Sequence, residues 1–98
     1  MARVLAVTLV ENCLDSSTVK EIEIDQPLDE GLMRRLATDA RLQYYPHFPK
    51  PYFRIERARY YLIQGVFGNT ALRVTFSPRA DESVERGLQR LIESTAPI

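Results

Sequence analysis

The sequence predicts an α+β fold, with an antiparallel or mixed five-stranded sheet and two helices packed on one face, in the order β-β-α-β-β-β-α. Three observations lead there. Residues 18–25 alternate polar and apolar side chains with period two, as a half-exposed strand does. Val84, Leu88, Leu91 and Ile92 recur at i, i+4, i+7 and i+8, the spacing of an amphipathic helix. Gly68-Asn69 sits between two strand-like runs and marks a hairpin. The length of 98 residues, without repeats or a linker, gives one domain over 1–98.

Residues 3–10 are almost wholly valine, leucine and alanine with Thr8. An unbroken apolar run reads as a central strand buried on both faces. Glu11 and Asn12 end it, too soon for a membrane span. It also lacks the apolar stretch and cleavage pattern of a secretion signal. Residues 12–17 are a polar connector around Cys13. In the next strand Ile22 and Ile24 share one face, and Glu21, Glu23 and Asp25 the other, antiparallel to the first strand.

A helix follows with Asp29 as N-cap and Leu28 and Met33 as a hydrophobic staple. Pro27 fits its first turn if the helix starts earlier. Leu32, Leu36 and Ala40 make an apolar stripe that fades by Gln43, and Pro46 forbids continuation. Residues 44–53 contain three prolines in six positions and read as an extended, partly polyproline connector. Strands are predicted at 52–56, 59–67 and 71–76. Gly68 takes the first central position of a type II′ turn. Ser77 is the expected N-cap of the last helix, with Pro78 at its first position. Gly87 weakens that helix by roughly 1 kcal/mol against alanine, and its small size suits close packing on the sheet.

The hairpin turn sets residue 64 against 73 and 62 against 75. One face then holds Tyr61, Ile63, Phe67, Leu72, Val74 and Phe76, an apolar set that should meet the helices. The opposite face holds Tyr60, Leu62, Gln64, Val66, Ala71, Arg73 and Thr75. An odd loop at 57–59 places Phe53 and Ile55 on the core face and Tyr52, Arg54 and Glu56 outside, whereas an even loop inverts them. The odd loop keeps the apolar residues together. The outer face stays open if the first hairpin joins edge-on, and becomes core if that hairpin folds across it.

Thirteen basic and thirteen acidic residues cancel, so there is no global basic excess of the kind that holds nucleic acid without regard to sequence. The distribution is uneven: residues 1–33 carry two basic and seven acidic groups, and residues 34–61 seven basic and two acidic. A partner contacting 50–60 should therefore be acidic. Cys13 is the single cysteine, which excludes an internal disulfide and a thiolate zinc site and fits a reducing, cytoplasmic setting. His47, the one histidine, lies in no nucleophile or metal motif. The acidic group Asp15, Glu21, Glu23, Asp25, Asp29 and Glu30 lacks calcium-loop spacing. Phosphate-cradling glycine loops are missing from the sequence, so no cofactor and no metal are expected. Pro46-His47-Phe48-Pro49 has P-x-x-P form, but Lys50 follows one position too early for the usual docking motif.

These features point to a non-enzymatic interaction protein, self-associating or binding a protein partner through the outer sheet face. The expected contact residues are Tyr52, Arg54, Tyr60, Leu62, Gln64, Val66 and Arg73, because aromatics and arginine dominate interface hot spots. The alternative is a single-stranded nucleic-acid or anionic-ligand binder along 44–61. There Tyr44, Tyr45, Phe48, Tyr52, Phe53, Tyr60 and Tyr61 interleave with Arg54 and with Lys50, Arg57 and Arg59 as anion contacts. No membrane association is expected.

Overall fold

The chain begins with a hairpin, β1 (Val4–Asn12) and β2 (Thr18–Ile24), followed by α1 (Glu30–Leu36). Four strands come next: β3 (Arg41–Tyr45), β4 (Tyr52–Arg57), β5 (Tyr61–Val66) and β6 (Ala71–Phe76). The last element is α2 (Glu82–Glu93). The structure, a computed structural model, describes residues 2–93. All six strands form one antiparallel sheet in the order β1-β2-β6-β5-β4-β3. The first hairpin joins edge-on, through β2 on β6.

Alternation sends Ile22, Ile24, Phe53, Ile55, Tyr61, Ile63, Leu72, Val74 and Phe76 to one face, all buried. Leu32, Met33 and Leu36 of α1 and Leu88 and Ile92 of α2 close over that face and complete a single core. Each such side chain contributes about 1.5–3 kcal/mol on burial. Asp29 caps α1, its carboxylate accepting the Leu32 N–H at 2.9 Å. The two helices are tied by Arg35, which donates to the Leu91 and Ile92 carbonyls at 3.2 and 3.0 Å. That places a cation at the negative end of α2. Lys20 pairs with Glu85 at 2.9 Å, joining β2 to α2.

The sheet has six strands rather than five, because α1 stops at Leu36. Thr38 and Asp39 favour turns over helix interiors, and Asp39 turns the chain with φ 58°. Residues 41–45 then pair with β4 from Arg41 opposite Glu56 to Tyr45 opposite Tyr52. The connector with the three prolines is thereby reduced to residues 46–51. β1 is an edge strand instead of a central one, with Leu5, Val7, Leu9 and Val10 exposed by 62, 37, 53 and 40%. An apolar run reports affinity for burial, and here α2 contacts β1 without burying these four side chains among the described residues.

Three local features also differ from expectation. Asn69 N–H bonds Val66 C=O at 3.1 Å, so Gly68, with φ 92°, is the second central residue of a 66–69 turn. That is the position where a type II turn requires positive φ. The register is as expected all the same: Gln64 opposes Arg73 and Leu62 opposes Thr75. α2 is capped by Asp81, whose carboxylate accepts the Ser83 and Val84 N–H groups at 3.0 and 3.2 Å. Ser77 instead closes the preceding turn, accepting the Ala80 N–H at 3.0 Å. Gly87 faces solvent, and a Cβ there would meet nothing within 4 Å. Gly65 is the tightly packed glycine: a Cβ there would lie 2.5 Å from Phe53 Cζ and 2.9 Å from Leu28 Cδ1.

Candidate functional site

The β4–β5 loop has the odd length, with residues 58–60 between the facing pair Arg57 and Tyr61. Tyr52, Arg54 and Glu56 therefore lie on the outer face with Leu62, Gln64, Val66 and Arg73. Among the described residues no helix or strand covers this face. The pairings line up Glu21, Arg73, Gln64, Arg54 and Gln43 across five strands. The adjacent line runs Val19, Thr75, Leu62, Glu56 and Arg41. Buried Val19 and half-buried Leu62, Val66 and Tyr52 give the face an apolar component, and the charges alternate around it.

Those charges are not paired with one another. The ion pairs among the described residues are Lys20–Glu85 and Arg34–Glu30, neither on this face. Arg54 Nε is buried and has no hydrogen-bond acceptor among the described residues. The Arg54 side chain also lines a cavity of about 190 Å³ with Arg41, Gln43, Glu56 and Leu62. A second depression of about 280 Å³, lined in part by Tyr52, Gln64, Val66 and Arg73, extends the same face toward the β5–β6 turn.

At the β3–β4 end of the sheet, Tyr45, Phe48 and Tyr52 stack. Their centroids lie 5.5, 5.7 and 6.3 Å apart and their planes within 13–24°. Phe48, although between prolines in the connector, is drawn back onto the strand residues by this stacking. Tyr44, Phe53 and Tyr61 belong to the helix side instead, where Tyr44 and Phe53 each contact Phe67. The aromatic stretch is thus divided between the two faces.

Tyr60 is in the β4–β5 loop, one residue before β5, and lines a depression of about 250 Å³ together with Glu56, Leu62 and Thr75 of the outer face. It packs against Arg57, whose guanidinium lies 5.8 Å from its ring centroid, and borders a groove of about 400 Å³ beside Val84, Leu88 and Leu91 of α2. Lys50 does not join Arg57 and Arg59: Lys50 precedes β4, whereas Arg57 ends it and Arg59 is in the following loop. Arg59 has φ 76° and its carbonyl accepts the Ser77 hydroxyl. These three cations therefore form no common anion site.

Comparison with family models, curated proteins and solved structures finds no match to this chain.

Among the described residues no three of His, Cys, Asp and Glu come together as metal ligands, and no helix is long and apolar enough to cross a membrane. Asp15 is held below the usual carboxylate range by the Ser17 hydroxyl and then its amide. Asp81 is held low by the Ser83 hydroxyl and then the Val84 amide. Both are turn and cap arrangements. Sequence reasoning missed Arg41, Gln43 and the ring stack on the outer face. The alternation of Arg41-Leu42-Gln43-Tyr44 was the available signal.

Proposed function

We propose that this chain is a non-enzymatic interaction module that holds a protein partner against the open face of its sheet. The observation that carries this reading is Arg54, whose Nε has no acceptor among the described residues and whose side chain lines a cavity with half-buried Leu62 on a face that no other described element covers. A buried donor left unpaired costs about 1–3 kcal/mol. A partner carboxylate would pair with the Arg54 guanidinium from the cavity that this side chain lines, and apolar partner atoms would cover Leu62 and Val66. Arg41, Arg73, Glu21 and Glu56 surround them as a polar rim. The partner surface would thus be apolar at its centre with at least one Asp or Glu.

Site-specific photocrosslinking in cells tests this. A photoreactive residue in place of Leu62 should give a discrete protein adduct, and one in place of Arg90, exposed on α2, should give none. Absence of an adduct at Leu62, or equal adducts at both positions, would count against the reading.

The Tyr45–Phe48–Tyr52 stack favours a second reading, a platform for single-stranded nucleic acid. Short oligonucleotides titrated at low salt decide it: binding there that weakens steeply with added salt would support it, and no binding at low salt would discard it.

A further inference from the structure

We infer that β1 pairs edge-to-edge with β1 of a second copy of this chain, about a two-fold axis at Val7, to give a continuous twelve-stranded sheet. This is a separate surface from the open sheet face. β1 is nine residues long, ends the sheet, and has no charge or proline in its apolar run from Val4 to Val10. Natural sheets avoid leaving such an edge bare. The opposite edge, β3, is guarded by Arg41 and by Pro46 just beyond its end.

The backbone at this edge is open for pairing. Ile24 N–H bonds Thr70 on the β6 side. Alternation sends the N–H groups of Ile22 and Lys20 the same way. Their β1 partners, Val7 and Leu9, therefore direct their own N–H and C=O outward, away from β2. Register shifts against β2 fall between Val4 and Ala6 and between Leu9 and Glu11, leaving residues 6–9 regular. They hold the regular pairing to a few residues, so side chains must supply the rest of the association.

Charge and shape choose the second copy as occupant. A two-fold axis that keeps both helical layers on the same side must pass through a residue, since facing residues share a face. With Val7 on the axis, Ala6 faces Thr8 of the other copy, and Leu5, in the irregular step of the strand, comes beside Leu9. The Arg3 end of each strand then meets the Glu11 end of the other. Both are exposed and have no ion-pair partner among the described residues. The strand is thus complementary to its own reverse in charge and in apolar content.

The test is sedimentation of the full chain from about 10 to about 500 µM, a range that brackets an association of micromolar strength. The wild type should form a dimer. Arg3→Glu and Glu11→Arg should each weaken it at least about tenfold by like-charge contact at both ends, and the double variant should restore it. Val7→Cys in a Cys13→Ser background should crosslink on mild oxidation, because facing Cα atoms of a hydrogen-bonded pair, about 5.5 Å apart, suit a disulfide. A wild type that remains monomeric, or single variants that dimerise as well as the wild type, would overturn the inference. So would a dimer that Val7→Cys fails to crosslink, since its register would be a different one.

Discussion

A methyl group at position 65 would lie 2.5 Å from Phe53 Cζ, whereas one at position 87 would touch nothing. The two glycines therefore respond oppositely to the same substitution. Gly65→Ala forces Phe53, which is fully buried, out of place and should cost about 1–3 kcal/mol. Gly87→Ala should add up to about 1 kcal/mol, because only helix propensity changes. Urea denaturation of the two variants measures both. Sequence could place Gly87 in a helix, but close approach depends on which ring lies across the next strand. The outward alternation of Arg54, Gln64 and Arg73 was readable because strand period and an odd loop fix it. The buried Arg54 Nε was not, since it depends on how the neighbouring side chains Gln43, Glu56 and Leu62 fill the space around it.

Asp15 and Asp81 give the acid behaviour at the same scale. Both have folded values below the ordinary 3.8. For a depressed carboxylate, the stabilisation is fully present above the unfolded value and is lost as pH falls through the folded one. The thermal midpoint should therefore show no loss from these two groups between neutral pH and about pH 5, and a loss in the range below about pH 4. Asp15→Asn with Asp81→Asn should shallow that acid limb. An unchanged limb would show that other groups set it.

At the scale of elements, one side chain joins the helical layer. Arg35 of α1 bonds two terminal carbonyls of α2, while its neighbour Arg34 makes an exposed pair with Glu30 at 3.3 Å. Arg35→Met should cost about 1–3 kcal/mol, because it removes two charge-assisted hydrogen bonds between the helices. Arg34→Met should cost no more than about 0.5 kcal/mol. Equal losses in chemical denaturation would show that Arg35 does not tie the helices together. Elements with strict period, such as β2, β5, β6 and α2, were legible in sequence. β3 was concealed by Leu36 and Ala40, whose spacing continues the α1 stripe past the point where Asp39 turns the chain. β1 was identified as a strand but misplaced in the sheet, because apolar content does not distinguish burial inside one chain from an exposed edge.

For the whole molecule, both helices lie on one side of the sheet, and no helix or strand among the described residues covers the other. The sheet has an apolar edge at β1 and a polar one at β3. The open face and the β1 edge are separate surfaces, proposed for a protein partner and for a second copy. Edge pairing would set two open faces side by side, so a partner with repeated sites would gain from effective concentration. Sedimentation velocity of the wild type beside Val7→Lys and Leu62→Asp tests this division most directly. A dimer in the wild type and in Leu62→Asp, with a monomer in Val7→Lys, is the predicted result. Loss of the dimer in Leu62→Asp with its retention in Val7→Lys would contradict it, and would place self-association on the open face.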